Sequence, residues 1–454
     1  MKLFNDTNGA TTWSTNDSRN WGTGDPCSDD WEGVKCRSGH VTELNMRGVP
    51  FADPPTGRLD LSGLTELLKF EAGGPDELTM SIPKLPSKLQ VFHVWNSRVS
   101  GTIPDDLPDS LEEFTVYESE LTGGIPTKFP ASLKKFMVGY GQLEGEMPKK
   151  LPDGMESFSV FGNKLKGGIP ELPTSMRSFS AEENQLTGEI PDTLKSLPLL
   201  QEFLASDNQL EGKIPELPAS LEKLNVENNW LSEGLPAIST LVKEFRVAGN
   251  FLTGLPPDPS NFGYSVSLCP NLFDAKDSSP EAVALAALWD AKFPGVWTDD
   301  CTPTATYTIS IGDATGGKLE CRQSTVQYGQ ESTCTITAYE GYVFDKAVDI
   351  APAGMALAEC TEKECTLKAK GDVTVTPKFT AGGGTGTGGD PGTGTDPGAG
   401  TDPGAGGGTQ QPDPGSTSSS PTMGEVGLLL SGLALAGVAA PALRRRERKE
   451  RKQD

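Results

Sequence analysis

Apolar residues recur along the first half of the chain in a phrase of about 22 residues. In each copy the first, fourth and sixth positions are apolar, and the residues between them alternate as in a short β-strand. In most copies a leucine follows at the eleventh position, and a Gly-x-Ile-Pro sequence comes after it. The first positions lie at Leu67, Leu89, Leu111, Leu133, Met155, Met176, Leu200, Leu221 and Val242. Such a period predicts a solenoid, in which one structural unit stacks on the next.

The ninth position of the phrase predicts how the chain leaves each strand. It holds asparagine at Asn163, Asn184, Asn208, Asn229 and Asn250. A side-chain amide can both donate to and accept from backbone groups of the adjoining loop, so we interpret this series as structural. The stretch that follows carries two prolines per copy, which leaves little room for a helix, and we expect it to be extended or 3₁₀-like.

The full pattern L-x-x-F-x-V-x-x-N-x-L-x-G-x-I-P resembles the plant-type leucine-rich repeats, over residues 41–258. The L-P-x-S-L run that closes each loop, as at residues 107–111, is similar to one found in bacterial repeat effectors. The resemblance implies a leucine-rich repeat solenoid, with a parallel β-sheet on its concave face and a mostly extended or 3₁₀ convex side.

Two atypical segments flank the repeats. Residues 1–40 contain W…W…D-P-C…W-x-G-V-x-C, which resembles the N-terminal cap of the same repeat family. Residues 259–303 are interpreted as a C-terminal cap, with a short helix from Ser279 to Phe293 that begins with a capping serine and a proline. A stacked array needs such caps because its apolar interior is open at both ends.

Residues 304–380 predict a small all-β module. The runs 307–311, 332–337 and 373–379 alternate in the manner of strands. Together with Gly-Gly at 316–317 and the Glu-Gly-Tyr-Val-Phe sequence at 340–344, they resemble the internalin B-type repeats of bacterial surface proteins. The cysteines here depart from the commonest form of those repeats, and we expect them to stiffen a module with a small core.

The remainder of the chain predicts a stalk and a membrane anchor. Residues 381–420 consist almost entirely of Gly, Thr, Pro, Asp and Ser, which predicts a disordered linker. Within 421–454, an apolar stretch at 426–443 is followed by an arginine cluster, and it is long enough for one transmembrane helix with its basic end inside.

The start of this tail also resembles the IPTL-type sorting signal of Gram-negative bacteria, through Pro421, Thr422, Glu425 and Gly427. Met423 and Val426 depart from that pattern, where Leu and Trp are usual. The resemblance implies an exported bacterial surface protein whose tail is processed by an exosortase-like protease. Export requires a signal peptide, and we expect one upstream of Met1.

Charge and cysteine content narrow the compartment and the partners. The net charge of −23 excludes nucleic acid as an expected partner, because the chain would repel phosphates. The eight cysteines form four local couples, which favours disulfide bonds in an oxidising compartment. Zinc knuckles are absent from the sequence. The couples are Cys27/Cys36, Cys269/Cys301, Cys321/Cys334 and Cys360/Cys365.

The sequence offers no arrangement typical of catalysis, so we expect neither an enzyme nor a cofactor or metal site. The chain has two histidines, His40 and His93, and neither belongs to a nucleophile–base pair in the sequence. Acidic pairs are too frequent to single out a glycosidase pair, and the linker lacks the spacing of a calcium loop.

The third, fifth and seventh positions should face the concave side, and the seventh predicts a binding site. Early repeats place aromatic rings there or next to it, and later repeats place acids. The candidate residues are Trp95, Tyr117, Tyr140 and Phe161, flanked by His93 and Lys135, with Glu182, Asp207 and Glu227 further along. Aromatic anchors on a concave sheet suit a peptide, a protein or a carbohydrate. The rings could equally pack on one another as neighbours in the sheet.

These patterns predict a surface recognition or adhesion protein without catalytic activity. An alternative remains open: a structural component of the envelope or biofilm matrix, in which the repeats form a stiff rod with no specific ligand.

Overall fold

The computed structural model describes residues 24–29, 31–47, 60–73, 79–95, 98–239, 241–273, 279–297, 301, 305–352 and 355–381. The first 23 residues of the predicted N-terminal cap lie outside this part. The predicted linker beyond residue 381, and the sorting and membrane segment at 421–454, also lie outside it.

One long sheet runs through the repeats. Its described strands follow chain order and are parallel, except that β1 and β2 form an antiparallel hairpin. The strands are β1 Val34–Arg37, β2 His40–Arg47, β3 Lys69–Gly73, β5 Val91–Trp95, β7 Glu113–Tyr117, β9 Lys135–Gly139, β11 Ser157–Ser159, β13 Ser178–Ser180, β15 Glu202–Leu204, β17 Lys223–Asn225, β19 Glu244–Arg246 and β21 Ser265–Ser267. The predicted parallel-sheet solenoid is confirmed.

A column of phenylalanines forms the centre of the solenoid. The fourth position of successive repeats is fully buried, and neighbouring rings from Phe70 to Phe203 stack at centroid distances of 5.4 to 6.0 Å. Burying one such side chain contributes about 2 kcal/mol. The regular spacing of the rings follows from the in-register pairing of the strands, as for Phe114 opposite Phe136.

The convex side is extended, as expected, but its segments also pair into short parallel ladders. These ladders form because successive repeats place equivalent backbone groups side by side. They comprise β4 Thr79–Ser81, β6 Arg98–Gly101 and β8 Glu120–Leu121, then β10 Glu144–Glu146 and β12 Lys164–Lys166, then β14 Thr187–Glu189, β16 Gln209–Gly212, β18 Trp230–Glu233 and β20 Phe251–Leu252. Two 3₁₀ turns, Asp192–Ser196 and Pro259–Asn261, also occur in the described residues.

The asparagines of the ninth position form a buried ladder. Asn208 shows the pattern: its Oδ1 accepts from the Leu186 N–H at 2.9 Å, and its Nδ2 donates to the Ala181, Ala205 and Ser206 carbonyls at 2.9 to 3.3 Å. The ladder extends one repeat beyond the sequence period, because Asn271 accepts from Leu252 in the same way. The solenoid therefore continues past Pro259, through β21, before it is capped.

A serine ladder, which we did not anticipate, ties the closing loops together. The serine of L-P-x-S-L donates from its Oγ to carbonyls of the preceding repeat, as Ser132 does to Asp109 and Leu111 at 2.7 Å. Ser110, Ser175 and Ser220 make equivalent bonds. The sequence showed the recurrence of this serine, but its partners lie one repeat away and required the stacked structure.

Both ends of the described solenoid carry a disulfide. Cys27 is bonded to Cys36 beside the β1–β2 hairpin, and Cys269 is bonded to Cys301 at the other end. Helix α1, Pro280–Lys292, begins at the Ser279 cap and places the fully buried Trp289 against Phe262.

The module at residues 305–381 consists of two four-stranded sheets in the part described. Their orders are β24-β22-β29-β26 and β23-β25-β28-β27. The strands are β22 Thr306–Ile311, β23 Gly317–Cys321, β24 Thr325–Gln327, β25 Glu331–Ala338, β26 Tyr342–Ala351, β27 Ala356–Cys360, β28 Glu364–Ala369 and β29 Val373–Ala381. The predicted all-β module is confirmed.

The four cysteines of the module lie in one row across the second sheet. Cys321 is opposite Cys334, Cys334 is opposite Cys365, and Cys365 is opposite Cys360. Disulfides join the first two and the last two of this row, which are the couples suggested by the sequence.

Candidate functional site

The exposed face of the long sheet is built by simple alternation. In β5 and β7 the fourth- and sixth-position side chains are buried, while those at positions three, five and seven are partly exposed. The repeat architecture makes this face concave. Its candidate residues therefore stand on a rigid, hydrogen-bonded surface.

Three of the predicted aromatic residues meet in one cluster. The Phe161 ring lies 6.0 Å from the Tyr117 ring and 4.8 Å from the Tyr140 ring, which it meets edge to face. We call Tyr117, Tyr140 and Phe161 the aromatic cluster. The Tyr117 hydroxyl points towards the Met137 sulfur at 3.4 Å, so Met137 extends the cluster on the next strand.

Two glycines make this arrangement possible. A Cβ at Gly139 would stand 2.6 Å from the Phe161 ring, and a Cβ at Gly162 would stand 2.7 Å from the Tyr140 ring. Each ring therefore lies across the glycine of a neighbouring repeat. Tyr140 itself occupies the left-handed region with φ of 51°, where the chain turns out of the strand, and its side chain is 55% exposed.

Trp95 packs over a different glycine. Its indole ring approaches Gly73 of the preceding repeat, with ring atoms 3.0 Å from the position of a Cβ there. Trp95 thus leans towards the N-terminal end of the sheet, in the same direction as Phe161, which lies across Gly139.

His93 belongs to a charged group beside Trp95. Its Nε2 lies 3.0 Å from Glu113, its Nδ1 lies 3.7 Å from Glu71, and Lys135 lies 3.7 Å from Glu113. Burial lowers the pKa of His93, although both carboxylates favour its protonated form. Glu113 thus joins His93 and Lys135 in one charged group.

The predicted acidic residues have three different environments. Glu182 accepts from the Ser180 hydroxyl at 2.6 Å, and burial raises its pKa. Asp207 accepts from Asn228 at 2.8 Å on the edge of the sheet. Glu227 pairs with Arg246 at 3.7 Å.

Carboxylates also surround Tyr140. Burial and the charges of Glu183, Glu182 and Glu118 raise the pKa of its hydroxyl. The most exposed ring of the aromatic cluster therefore lies in a negative field.

A shallow floor of serines, which sequence reasoning missed, adjoins the aromatic cluster. Ser157 and Ser178 pair across β11 and β13, as do Ser159 and Ser180, and the last two hydroxyls are 3.2 Å apart. The repeated Ser-Phe-Ser at the third to fifth positions was the available signal. Ser159 and Ser180 are buried, whereas Ser157 and Ser178 are partly exposed.

Within the described residues, no group of three or more His, Cys, Asp or Glu side chains is arranged to hold a metal ion. Across the same part of the chain, no helix has both the length and the apolar character needed to cross a membrane. The four disulfides are consistent with an extracellular or surface location.

One segment of the chain matches a known family model. Residues 307–383 match the family model of the divergent InlB B-repeat domain. No curated protein matches the chain in sequence.

Solved structures resemble the solenoid. A TDR receptor is 20% identical over 51% of this chain and 44% of its own, with a TM-score of 0.45. The Arabidopsis receptor kinase HAESA, solved with the peptide hormone IDA and the co-receptor SERK1, is 20% identical over 56% of this chain and 50% of its own, with a TM-score of 0.41.

A plant ice-binding protein is 19% identical over 60% of this chain and 84% of its own, with a TM-score of 0.46. The chain thus spans about half the length of the two receptors. At these identities the likeness concerns the fold alone. The chain thus contains a parallel-sheet solenoid and a segment similar to the divergent InlB B-repeat domain.

Proposed function

We propose that this protein is a non-enzymatic surface recognition or adhesion protein that binds its partner on the concave face of the repeats. The observation that carries the proposal is the aromatic cluster, whose Tyr140 ring is 55% exposed on an otherwise rigid sheet. Exposed tyrosine provides a large apolar contact area together with a hydroxyl, and it is enriched at binding hot spots.

Packing of the rings on one another explains only part of the arrangement of the aromatic cluster. Phe161 and Tyr117 shield each other, but Tyr140, which covers Gly162 with one edge of its ring, is 55% exposed. The partly exposed Ser157 and Ser178 add small polar side chains on neighbouring strands. This combination favours binding over mere packing.

The charges around Tyr140 favour a partner with positive charge. Glu118, Glu182 and Glu183 act on the Tyr140 hydroxyl, and a lysine or arginine of a peptide would contact both the carboxylates and the ring face. A carbohydrate would instead stack on the rings and donate hydroxyls to the same carboxylates. A protein or peptide and a glycan are thus the two partner classes to compare.

The localisation that we propose rests on the sequence resemblances. The protein would be exported to the surface of a Gram-negative bacterium and held by a C-terminal membrane segment, with an exosortase-like protease acting near Pro421. The β-module and the linker would then hold the solenoid away from the envelope. Mass spectrometry of the mature protein would locate its two ends.

Substitution of the aromatic cluster tests the binding proposal. Tyr140→Ser and the pair Tyr117→Ser with Phe161→Ser should each lower binding on peptide and glycan arrays at least tenfold, about the effect of losing a hot-spot ring. Tyr339→Ser is the matched control, because Tyr339 is 53% exposed on the β-module. Equal binding by all three variants and the wild type would exclude the aromatic cluster. The absence of any saturable ligand would favour the alternative of a structural envelope component.

A further inference from the structure

A second aromatic group joins the solenoid to the β-module. Trp230 in β18, Phe251 in β20 and Tyr328 after β24 are buried together, with Leu272 and Leu357 packed against them. Gly329 allows the close approach, since a Cβ there would stand 2.9 Å from Leu272. We call this contact the junction.

Lys370 occupies the centre of the junction. Its Nζ donates to the Asn229 carbonyl and, at 2.9 Å, to the Gly249 carbonyl. It also stands 4.5 Å from the centre of the Trp230 ring and 5.5 Å from that of Phe251. A single side chain of the module thus reaches the ends of two successive repeats.

The residues at the tenth position of the repeats agree with this contact between the solenoid and the module. The tenth position is polar in the preceding repeats, at Gln142, Lys164, Gln185 and Gln209, and aromatic at Trp230 and Phe251, which pack against the module. The buried indole nitrogen of Trp230 has no hydrogen-bond partner in the described residues. An unpaired buried donor is unfavourable, so the Trp230 side chain contributes through its ring face.

The groups that accept hydrogen bonds from Lys370 are uncharged backbone carbonyls. In the described part of the chain, no carboxylate lies within ion-pairing distance of it, and Asp207 attracts it only from further away. Burial lowers the pKa of Lys370 from 10.5 to about 7. The carbonyls and the rings favour the ammonium form, but burial without a contacting anion outweighs them.

The other titratable groups at the junction do not compete with Lys370 near neutral pH. From the module, Tyr328 donates its hydroxyl to the Asn250 carbonyl at 2.8 Å, and burial raises its pKa further from neutrality, as does the nearby Tyr307. From the solenoid, Asp207 is the group whose charge acts on Lys370.

We propose that the junction is an acid-sensitive latch, in which the neutral Lys370 side chain holds the β-module against the last repeats and its protonation loosens that contact. Release would expose Trp230 and Phe251 and let the solenoid change its orientation on the module.

The direction in which docking depends on pH follows from proton linkage. Undocked Lys370 binds a proton more tightly than docked Lys370, so docking releases a proton and strengthens as the pH rises between about 7 and 10.5. Below about pH 7 both forms are protonated, and docking is at its weakest. The docking equilibrium should fall on the order of a hundredfold from pH 9 to pH 6.

Hydrogen exchange of the full chain tests the latch. Protection factors, corrected for the intrinsic exchange rate, would be measured from pH 6 to pH 9 for peptides that contain residues 228–232 and 326–330. We expect them to fall on the order of a hundredfold on acidification, while a peptide covering residues 157–161 serves as an internal reference. Protection at the junction that does not change with pH would overturn the proposal.

Two variants separate the titration of Lys370 from general acid effects. Lys370→Met keeps an unbranched apolar side chain, one atom shorter than that of lysine, but does not titrate, so its junction should be equally protected at all these pH values. A wild-type pH profile in this variant would rule out Lys370 as the switch. Asp207→Asn removes the attraction that favours the ammonium form, and it should move the transition to lower pH even if Lys370→Met folds poorly. An unmoved transition would contradict the assignment.

Discussion

The Phe161 ring lies across Gly139 of the preceding repeat, 2.6 Å from the place where a Cβ would stand. This contact determines the orientation of the aromatic cluster, because the ring is held between Tyr117 and Tyr140 only while position 139 has no side chain. The geometry of the proposed binding surface thus depends on a residue that has no side chain of its own.

Gly139→Ala should therefore weaken binding about tenfold with little loss of stability. Its backbone is in an ordinary β conformation, and the half-buried ring can swing aside for less than about 1 kcal/mol. Binding and urea unfolding would be measured together. Gly168→Ala is the control, since its Cβ would meet only ordinary contacts, with the Thr187 carbonyl 3.7 Å away. Equal binding by both variants would show that the ring orientation does not matter.

Removal of one interior asparagine of the ladder should strongly destabilise the protein. Asn208→Ala leaves the buried Leu186 N–H without its acceptor and removes three donor contacts, so we expect a loss of about 2–4 kcal/mol in the free energy of unfolding. Gln201→Ala, on the exposed edge of the same repeat, should cost less than about 0.5 kcal/mol. Chemical unfolding of both variants compares the two effects, and similar losses would argue against a structural role for the ladder.

His93 should make the solenoid less stable in mild acid. Burial lowers its pKa below 6.5, so the unfolded chain takes up a proton more readily, and stability is lost as the pH falls through 6.5 towards the folded pKa. His93→Gln should lose less stability than the wild type between pH 7 and pH 5 in urea unfolding. His40→Gln, at an exposed position, provides the comparison. Identical acid sensitivity of His93→Gln and the wild type would disprove this linkage.

The two disulfides of the module allow a matched comparison. Each has one fully buried sulfur, on Cys334 and on Cys365, but the sequence separations are 13 and 5 residues. If restriction of the unfolded chain dominates, removal of Cys321–Cys334 by alanine should cost about 1 kcal/mol more than removal of Cys360–Cys365. Thermal unfolding of the two double variants measures the difference. The reverse order would point to strain or packing in place of chain entropy.

The register of the repeats was predictable because stacking is periodic. The phenylalanine column, the partly exposed positions of β5 and β7, and the direction of β11 opposite β13 all follow from which residues recur at which interval. Helix α1 was predictable for a local reason, since Ser279 and Pro280 satisfy the requirements of a helix start.

The aromatic cluster was only partly predictable. The alternation of the strand places Tyr117 and Phe161 on one face, but it does not show that Phe161 leans across Gly139 and Tyr140 across Gly162. Rotamers depend on the free space left by adjacent repeats, and that space is created by Gly139 and Gly162 from different copies. Trp95 has the same position in the phrase as Phe161, and it leans over Gly73 of the preceding repeat as Phe161 leans over Gly139, whereas Tyr140 leans over Gly162 of the following repeat.

The sequence by itself determined the solenoid, its asparagine ladder, the disulfide couples and the presence of a β-module, because each depends on a period, a local signal or a short spacing. The tertiary structure alone decided that Lys370 meets the carbonyls of Asn229 and Gly249, which lie more than a hundred residues earlier in the chain. Trp230 and Phe251 break the polar pattern of the tenth position, but a broken pattern does not identify what covers it. That information lies in contacts between segments that share no period, and only the packed chain brings them together.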